Sequence, residues 1–136
     1  MESVKPELKP FTIKVKGCSM WPLLRDGDVV TIQTQVESTV GDIVCVKCHE
    51  SGEIVIHRKL ASGVTKGDNS LYYDRTITIL GRADINYALF PFFKNTIQKL
   101  SNQYNSQSSS LTRKLIKSVI LFCNILTILS SKRAPA

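Results

Sequence analysis

From Phe11 to Ala83 the chain is broken by turn-forming residues so often that little room is left for helix. Asp26-Gly27-Asp28, Gly41-Asp42, Ser51-Gly52, Ser62-Gly63 and Lys66-Gly67-Asp68-Asn69 each combine glycine's freedom with side chains that bond their own backbone. The stretches between them are short and rich in β-branched residues: Val29-Val30-Thr31-Ile32, residues 43–47, Ile54-Val55-Ile56 and residues 76–80. Ahead of these, residues 11–16 alternate, with Phe11, Ile13 and Val15 on one face and Thr12, Lys14 and Lys16 on the other, as a half-buried strand does. Ser51-Gly52 between two strands predicts a hairpin, and Pro22 suits the first turn of a short helix. The expected fold class is mainly β, a compact coiled antiparallel sheet with a short helix near Ser19 and a helical C-terminal tail.

The length of 136 residues suits one compact domain, and 43% hydrophobic residues suffice for a modest core. Residues 1–10 are polar and carry Pro6 and Pro10, which reads as a flexible lead-in to a body over residues 11–90. Residues 91–110 read as a linker because residues 102–110 are dominated by Ser, Asn and Gln. Residues 111–136 read as a basic, apolar helix, bracketed by Arg113, Lys114 and Lys117 on one side and Lys132 and Arg133 on the other. No internal repeat is visible.

The net charge of +7 lies in one place. Residues 1–90 hold eleven Lys and Arg against eleven Asp and Glu, whereas residues 91–136 hold seven basic residues and no acid. A nucleic-acid binder would spread its cations over a folded face, so no nucleic-acid partner is expected. Cations flanking an apolar segment suit an anionic lipid surface instead. The uncharged stretch from Ser118 to Ser131 would reach only about 21 Å as a helix, against about 30 Å of hydrocarbon. An interfacial helix, a short tail anchor and a helix packed on the body all remain open.

Four cysteines form no disulfide-like framework, and the first residues resemble neither a cleaved leader nor a membrane span, so the body is expected in a reducing cytosol. Cys45-Val46-Lys47-Cys48-His49 fits a haem-attachment pattern, but residues three apart on a strand face opposite sides, and no second ligand pair accompanies it. No metal and no cofactor are expected.

The residues that bear chemistry lie in three short stretches. Gly17-Cys18-Ser19-Met20-Trp21-Pro22 offers a hydroxyl, Ile56-His57-Arg58 an imidazole and Asp74-Arg75 a carboxylate. A serine hydroxyl becomes a nucleophile when a neighbouring base takes its proton, and an imidazole does so near neutral pH when a third group fixes its tautomer. Ser19, His57 and Asp74 are candidates for those roles.

The ordered set Gly17-x-Ser19-Met20-x-Pro22, Gly27-Asp28, Gly41-Asp42, Ile56-His57-Arg58, Gly67-Asp68-Asn69, Asp74-Arg75 and Gly81-Arg82-Ala83 resembles the signal-peptidase-like serine peptidase superfamily, which includes type I signal peptidases and the peptidase domains of SOS-type repressors. The resemblance covers about residues 11–83. The residue before Arg58 is lysine in bacterial signal peptidases and the repressors but histidine in the endoplasmic-reticulum and archaeal branch, so His57 points to the latter. It implies Ser19 as nucleophile, His57 as base and Asp74 as its orienter, with the Ser19 backbone N–H in the oxyanion hole. Gly17 and Asp68 are expected to support turns, Asp68 by bonding amides of its own turn.

Rivals remain for two roles. Lys59 shares a strand face with His57, and Asp68 competes with Asp74 as the acid. Met20 and Trp21 are expected either in the substrate cleft, in lipid or in plain packing. Two features depart from the superfamily: Cys18 stands where many relatives have glycine, and no N-terminal span is seen, so a tail anchor would leave Ser19 on the cytosolic side. The expected function is a serine endopeptidase that cuts a leader or signal segment from a peptide or small protein, held extended against a strand edge. The alternative is a non-catalytic peptide-binding module on the same fold, tethered near a membrane.

Overall fold

The computed structural model describes residues 9–130; most of the lead-in, residues 1–8, and the end of the tail, residues 131–136, lie outside the described residues. Six strands form one antiparallel sheet: β1 (Phe11–Lys14), β2 (Val29–Gln33), β3 (Ile43–Cys48), β4 (Ile54–Ala61), β5 (Val64–Lys66) and β6 (Ile77–Ala83). Their order is β1-β2-β6-β3-β4-β5. The turn-bounded β-branched runs are these strands, and the fold is mainly β as the turn spacing requires. The expected hairpin is β3–β4, with Cys45 opposite Ile56 and Val44 opposite His57.

Val30, Ile32, Ile43, Cys45, Ile56 and Ala83 from the sheet, with Val15, Met20, Leu23 and Leu24 from the segment after β1, form the main core. Burying each large aliphatic side chain contributes about 1.5–3 kcal/mol, so this cluster is what holds residues 15–24 on the sheet.

Two expectations are corrected. No helix forms at Ser19: residues 19–23 are turns. One helical bond forms, from the Leu24 N–H to the Met20 carbonyl (3.0 Å), and it does not propagate. Pro22 has no N–H, the Arg25 N–H donates to Asp28 Oδ2 (2.8 Å), and the carbonyls of Cys18 and Trp21 accept from Asn69 Nδ2 at 2.8 and 2.7 Å. Side chains have taken the groups that a helix would use.

Nor are residues 91–110 all linker, since helix α1 (Phe90–Gln103) occupies most of them. Phe90, Phe93, Ile97, Leu100 and Tyr104 recur every three or four residues and face the body or the following helix. Pro91 suits the first turn. Helix α2 (Ser110–Leu129) begins at Ser109, whose Oγ accepts from the Thr112 N–H (3.2 Å). It packs Ile116, Ile120 and Cys123 against Ile97 and Tyr104, so its inner face is docked. Its end is tied to the start of α1, where the Ala88 and Leu89 N–H groups donate to the Ser130 carbonyl (3.2 Å) and Oγ (3.0 Å). No described helix is long and apolar enough to cross a membrane.

Candidate active site

Ser19 stands on the turn that leaves β1. Gly17 makes that turn possible by adopting φ +79°, a region costly for residues with a Cβ, and its N–H donates to Asp26 Oδ1 (2.8 Å). The far side of the turn is held by Asn69, which donates through Nδ2 to the Cys18 and Trp21 carbonyls and through its N–H to the Ser19 carbonyl (2.9 Å). Within residues 17–21, then, three carbonyls are tied to one asparagine.

His57 lies in the middle of β4 and is largely buried. Its Nε2 is 3.1 Å from Ser19 Oγ, and its Nδ1 bonds Asp74 Oδ2 on the opposite side of the ring. With the proton on Nδ1 donated to Asp74, Nε2 is the acceptor for the Ser19 hydroxyl. The hydroxyl, imidazole and carboxylate thus form one continuous chain of contacts across 55 residues of sequence, from 19 to 74.

Asp74 is itself fixed. Its backbone bridges Thr65 in both directions, at 3.1 and 2.8 Å, and Thr65 Oγ1 donates to the same Oδ2 that meets His57 (2.9 Å). Gly67, next along from β5, passes directly beneath the pair. A Cβ there would stand 2.9 Å from Ser19 Cβ and 3.1 Å from His57 Nε2, so only glycine lets the backbone come this close.

The rivals point elsewhere. Lys59 Nζ donates to the Ser38 carbonyl (3.1 Å) and Oγ (3.2 Å). Asp68 is buried against Arg58, whose Nε and Nη2 each reach a different carboxylate oxygen at 2.9 Å, while Nη1 donates to the Gly41 carbonyl (3.0 Å). Burial alone would push the Asp68 carboxyl up, but the Arg58 guanidinium and Asn124 Nδ2 (3.2 Å) together hold it below the ordinary carboxylate range. Asp68 was expected to bond amides of its own turn; it instead ties β4 to α2, because Arg58 would otherwise be an unpaired buried cation.

For Met20 the cleft reading gives way to packing. It is only 2% exposed, its Sδ takes the Asp68 N–H (3.4 Å), and it belongs to the core rather than to an open cleft. Trp21 remains 46% exposed. Cys18 is an exposed free thiol. Cys45 is buried, with its thiol pushed up to about 11 by burial, while His49 Nε2 meets Thr78 Oγ1 at 2.5 Å. Among the described residues no cluster of three His, Cys, Asp or Glu could hold a metal ion.

Lys66, Thr65 and Asn69 carry supporting contacts that the sequence did not single out. The Lys66 ammonium is fully buried, donates to the Gly67 carbonyl and Ser101 Oγ (both 3.1 Å) and lies 5.1 Å from the centre of the Tyr104 ring. Burial lowers it to about 8. It reaches α1 through Ser101. A groove of about 570 Å³ runs up to Ser19 between residues 13–16 and residues 52–56. Both walls are strand edges with no partner strand among the described residues, since β1 pairs only with β2 and β5 begins its pairing at Arg58.

The sequence pattern of the Peptidase S24-like family matches residues 2–82, well over half of the chain. A comparison with curated proteins finds no match. The chain therefore belongs to the Peptidase S24-like family, within the signal-peptidase-like superfamily, and its activity class is that of a serine-type peptidase.

Proposed function

We propose that this S24-like chain is a serine endopeptidase in which Ser19 is the nucleophile, His57 the general base and then acid, and Asp74 the group that orients the imidazole. The observation that carries the reading is the 3.1 Å approach of His57 Nε2 to Ser19 Oγ, with Asp74 on the other ring nitrogen. As Oγ attacks the scissile carbonyl carbon, its proton passes to Nε2 and negative charge develops on the carbonyl oxygen. The Ser19 N–H, which has no acceptor among the described residues, is available to that oxygen. Collapse breaks the C–N bond as His57 protonates the leaving amine. Water then attacks the acyl-enzyme, giving its proton to His57, and Ser19 is restored.

The substrate class follows from the groove. Two open strand edges offer backbone donors and acceptors to an extended chain lying between them and leading to Ser19. A leader or signal segment of a peptide or small protein fits such recognition, because a mobile segment can enter extended whereas a folded one cannot.

Incubating the protein with a mixture of unstructured peptides and sequencing the products by mass spectrometry tests this. Cuts present with wild type and absent with Ser19→Ala support the endopeptidase. Peptide binding without any cut would favour the non-catalytic module on the same fold.

A further inference from the structure

Helix α2 uses one face to dock, through Ile116, Ile120 and Cys123 and through Asn124 to Asp68, and this leaves its opposite face unpartnered. Leu111, Leu115, Val119, Phe122, Ile125 and Leu129 are all exposed. Their spacing of three or four residues sets them in a single stripe along the helix, opposite the docked side. At the C-terminal end the stripe reaches the exposed Leu89, whose N–H is bonded to Ser130. A patch of this length on the outside of a small protein marks a surface that is covered in use.

The charges beside the stripe select the cover. At the first turns of α2, a recess of about 260 Å³ is lined by Leu71, Tyr104, Ser110 and the cations Arg113, Lys114 and Lys117. No acid lies in the first turn of the helix, and none occurs anywhere in residues 91–136. Three cations beside the positive end of a helix dipole repel it and one another, and an anion in that recess relieves both. A second copy paired through the same helix would not, since residues 91–136 hold no acid to bring to the recess.

We infer that the outer face of α2 is a docking surface for an anionic membrane. The stripe lies in the headgroup–acyl boundary, and headgroup phosphates are taken up by Lys114 and Lys117 on its flank. The helix lies in the plane of the bilayer and does not insert through it, because Asn124 and its neighbours keep the inner face on the protein. This surface shares no residue with the Ser19 site and stands independently of the peptidase reading.

Co-sedimentation of the full chain with vesicles tests the inference, using phosphatidylcholine with and without phosphatidylserine. Wild type is expected to pellet with the serine-lipid vesicles and to be released by salt. Phe122→Ser and, separately, Leu115→Ser should each weaken partitioning by about tenfold with unchanged circular dichroism, since each removes a large apolar group from the boundary. Lys114→Glu with Lys117→Glu should abolish the preference for phosphatidylserine. No pelleting with either vesicle, or pelleting unaffected by these changes, would overturn the proposal. So would a dimer in sedimentation velocity that Phe122→Ser dissociates, which would assign the face to a second copy.

Discussion

Thr65 and Asp74 are joined three times, by two backbone bonds and by the threonine hydroxyl on the carboxylate oxygen that meets His57. The hydroxyl therefore fixes the rotation of a carboxylate that in turn fixes an imidazole. Thr65→Val keeps the shape and removes that bond. A hydrogen bond to a charged group contributes about 1.5–3 kcal/mol, so if Asp74 orients His57 the acylation rate of Ser19 should fall about tenfold or more. Stopped-flow acylation by an activated ester measures it, with Thr65→Ser expected to recover most of the loss.

Gly67→Ala should reduce peptidase turnover by about a hundredfold while leaving the protein folded. The added methyl would meet Ser19 Cβ at 2.9 Å and His57 Nε2 at 3.1 Å, and displacements of about 1 Å at reacting groups carry losses of this order. Thermal unfolding within a few degrees of wild type, beside the lost turnover, would separate this from general disruption.

Asp68→Asn and Asp74→Asn should fail in different ways. Asp68→Asn leaves the buried Arg58 guanidinium without its counter-charge, which costs about 3–5 kcal/mol in urea unfolding. Because Asp68 is held below the ordinary carboxylate range, its stabilisation is complete above that range and disappears as acid protonates it. The gap between wild type and Asp68→Asn should therefore close as the pH is lowered. Asp74→Asn should lose turnover with a smaller change in stability. Equal loss of turnover in the two, at equal stability, would remove the distinction.

Lys66 gives a pH dependence of the same sign in an alkaline window. Its ammonium is lowered by burial to about 8 from 10.5, so above pH 8 the folded protein releases a proton that the unfolded chain keeps. Stability from this group then rises with pH between those values. The buried Cys45 thiol, raised from 9.0 to about 11, works the other way over a higher window. Urea unfolding from pH 7.5 to 9 should show wild type gaining on Lys66→Met, a comparison in which the cysteine contribution cancels. A constant difference would contradict the assignment.

Asn124→Asp should destabilise more than Asn124→Ala. Asn124 Nδ2 donates to Asp68 Oδ2 in a fully buried setting, and a second carboxylate there would face the first without solvent. The expected difference is about 2–3 kcal/mol at neutral pH by the cost of burying an unpaired charge, shrinking in acid.

The strands were legible because their limits are local. Turn chemistry at Gly41-Asp42 or Ser51-Gly52 acts over a few residues, and the β-branched runs between need no tertiary information. Helix α1 was missed: the spacing of Phe90, Phe93, Ile97, Leu100 and Tyr104 carries it, but the Ser, Asn and Gln content of residues 102–110 made the whole of residues 91–110 read as a linker. The turn at Ser19 read as a helix because proline and a short apolar run suit one; Asn69, nearly fifty residues away, takes the carbonyls instead. Ser19, His57 and Asp74 could be named from motif order, whereas Thr65 could not. Only the pairing of Thr65 with Asp74 brings its hydroxyl to the carboxylate, and nothing in a run of Val64-Thr65-Lys66 announces it. Asp68 was misassigned for the same reason, since its partners Arg58 and Asn124 come from a different strand and from the far helix.

The reading rests on transfer of the Ser19 proton to His57, with Asp74 orienting the imidazole. Intact-protein and peptide mass spectrometry after treatment with a fluorophosphonate tests it most directly. A single adduct on Ser19 is expected in wild type and none on Ser19→Ala, with labelling of His57→Ala slowed by about a thousandfold or more, as loss of a base that acts in concert with its nucleophile requires. An adduct on another residue, or labelling of Ser19 at an unchanged rate without His57, would contradict it.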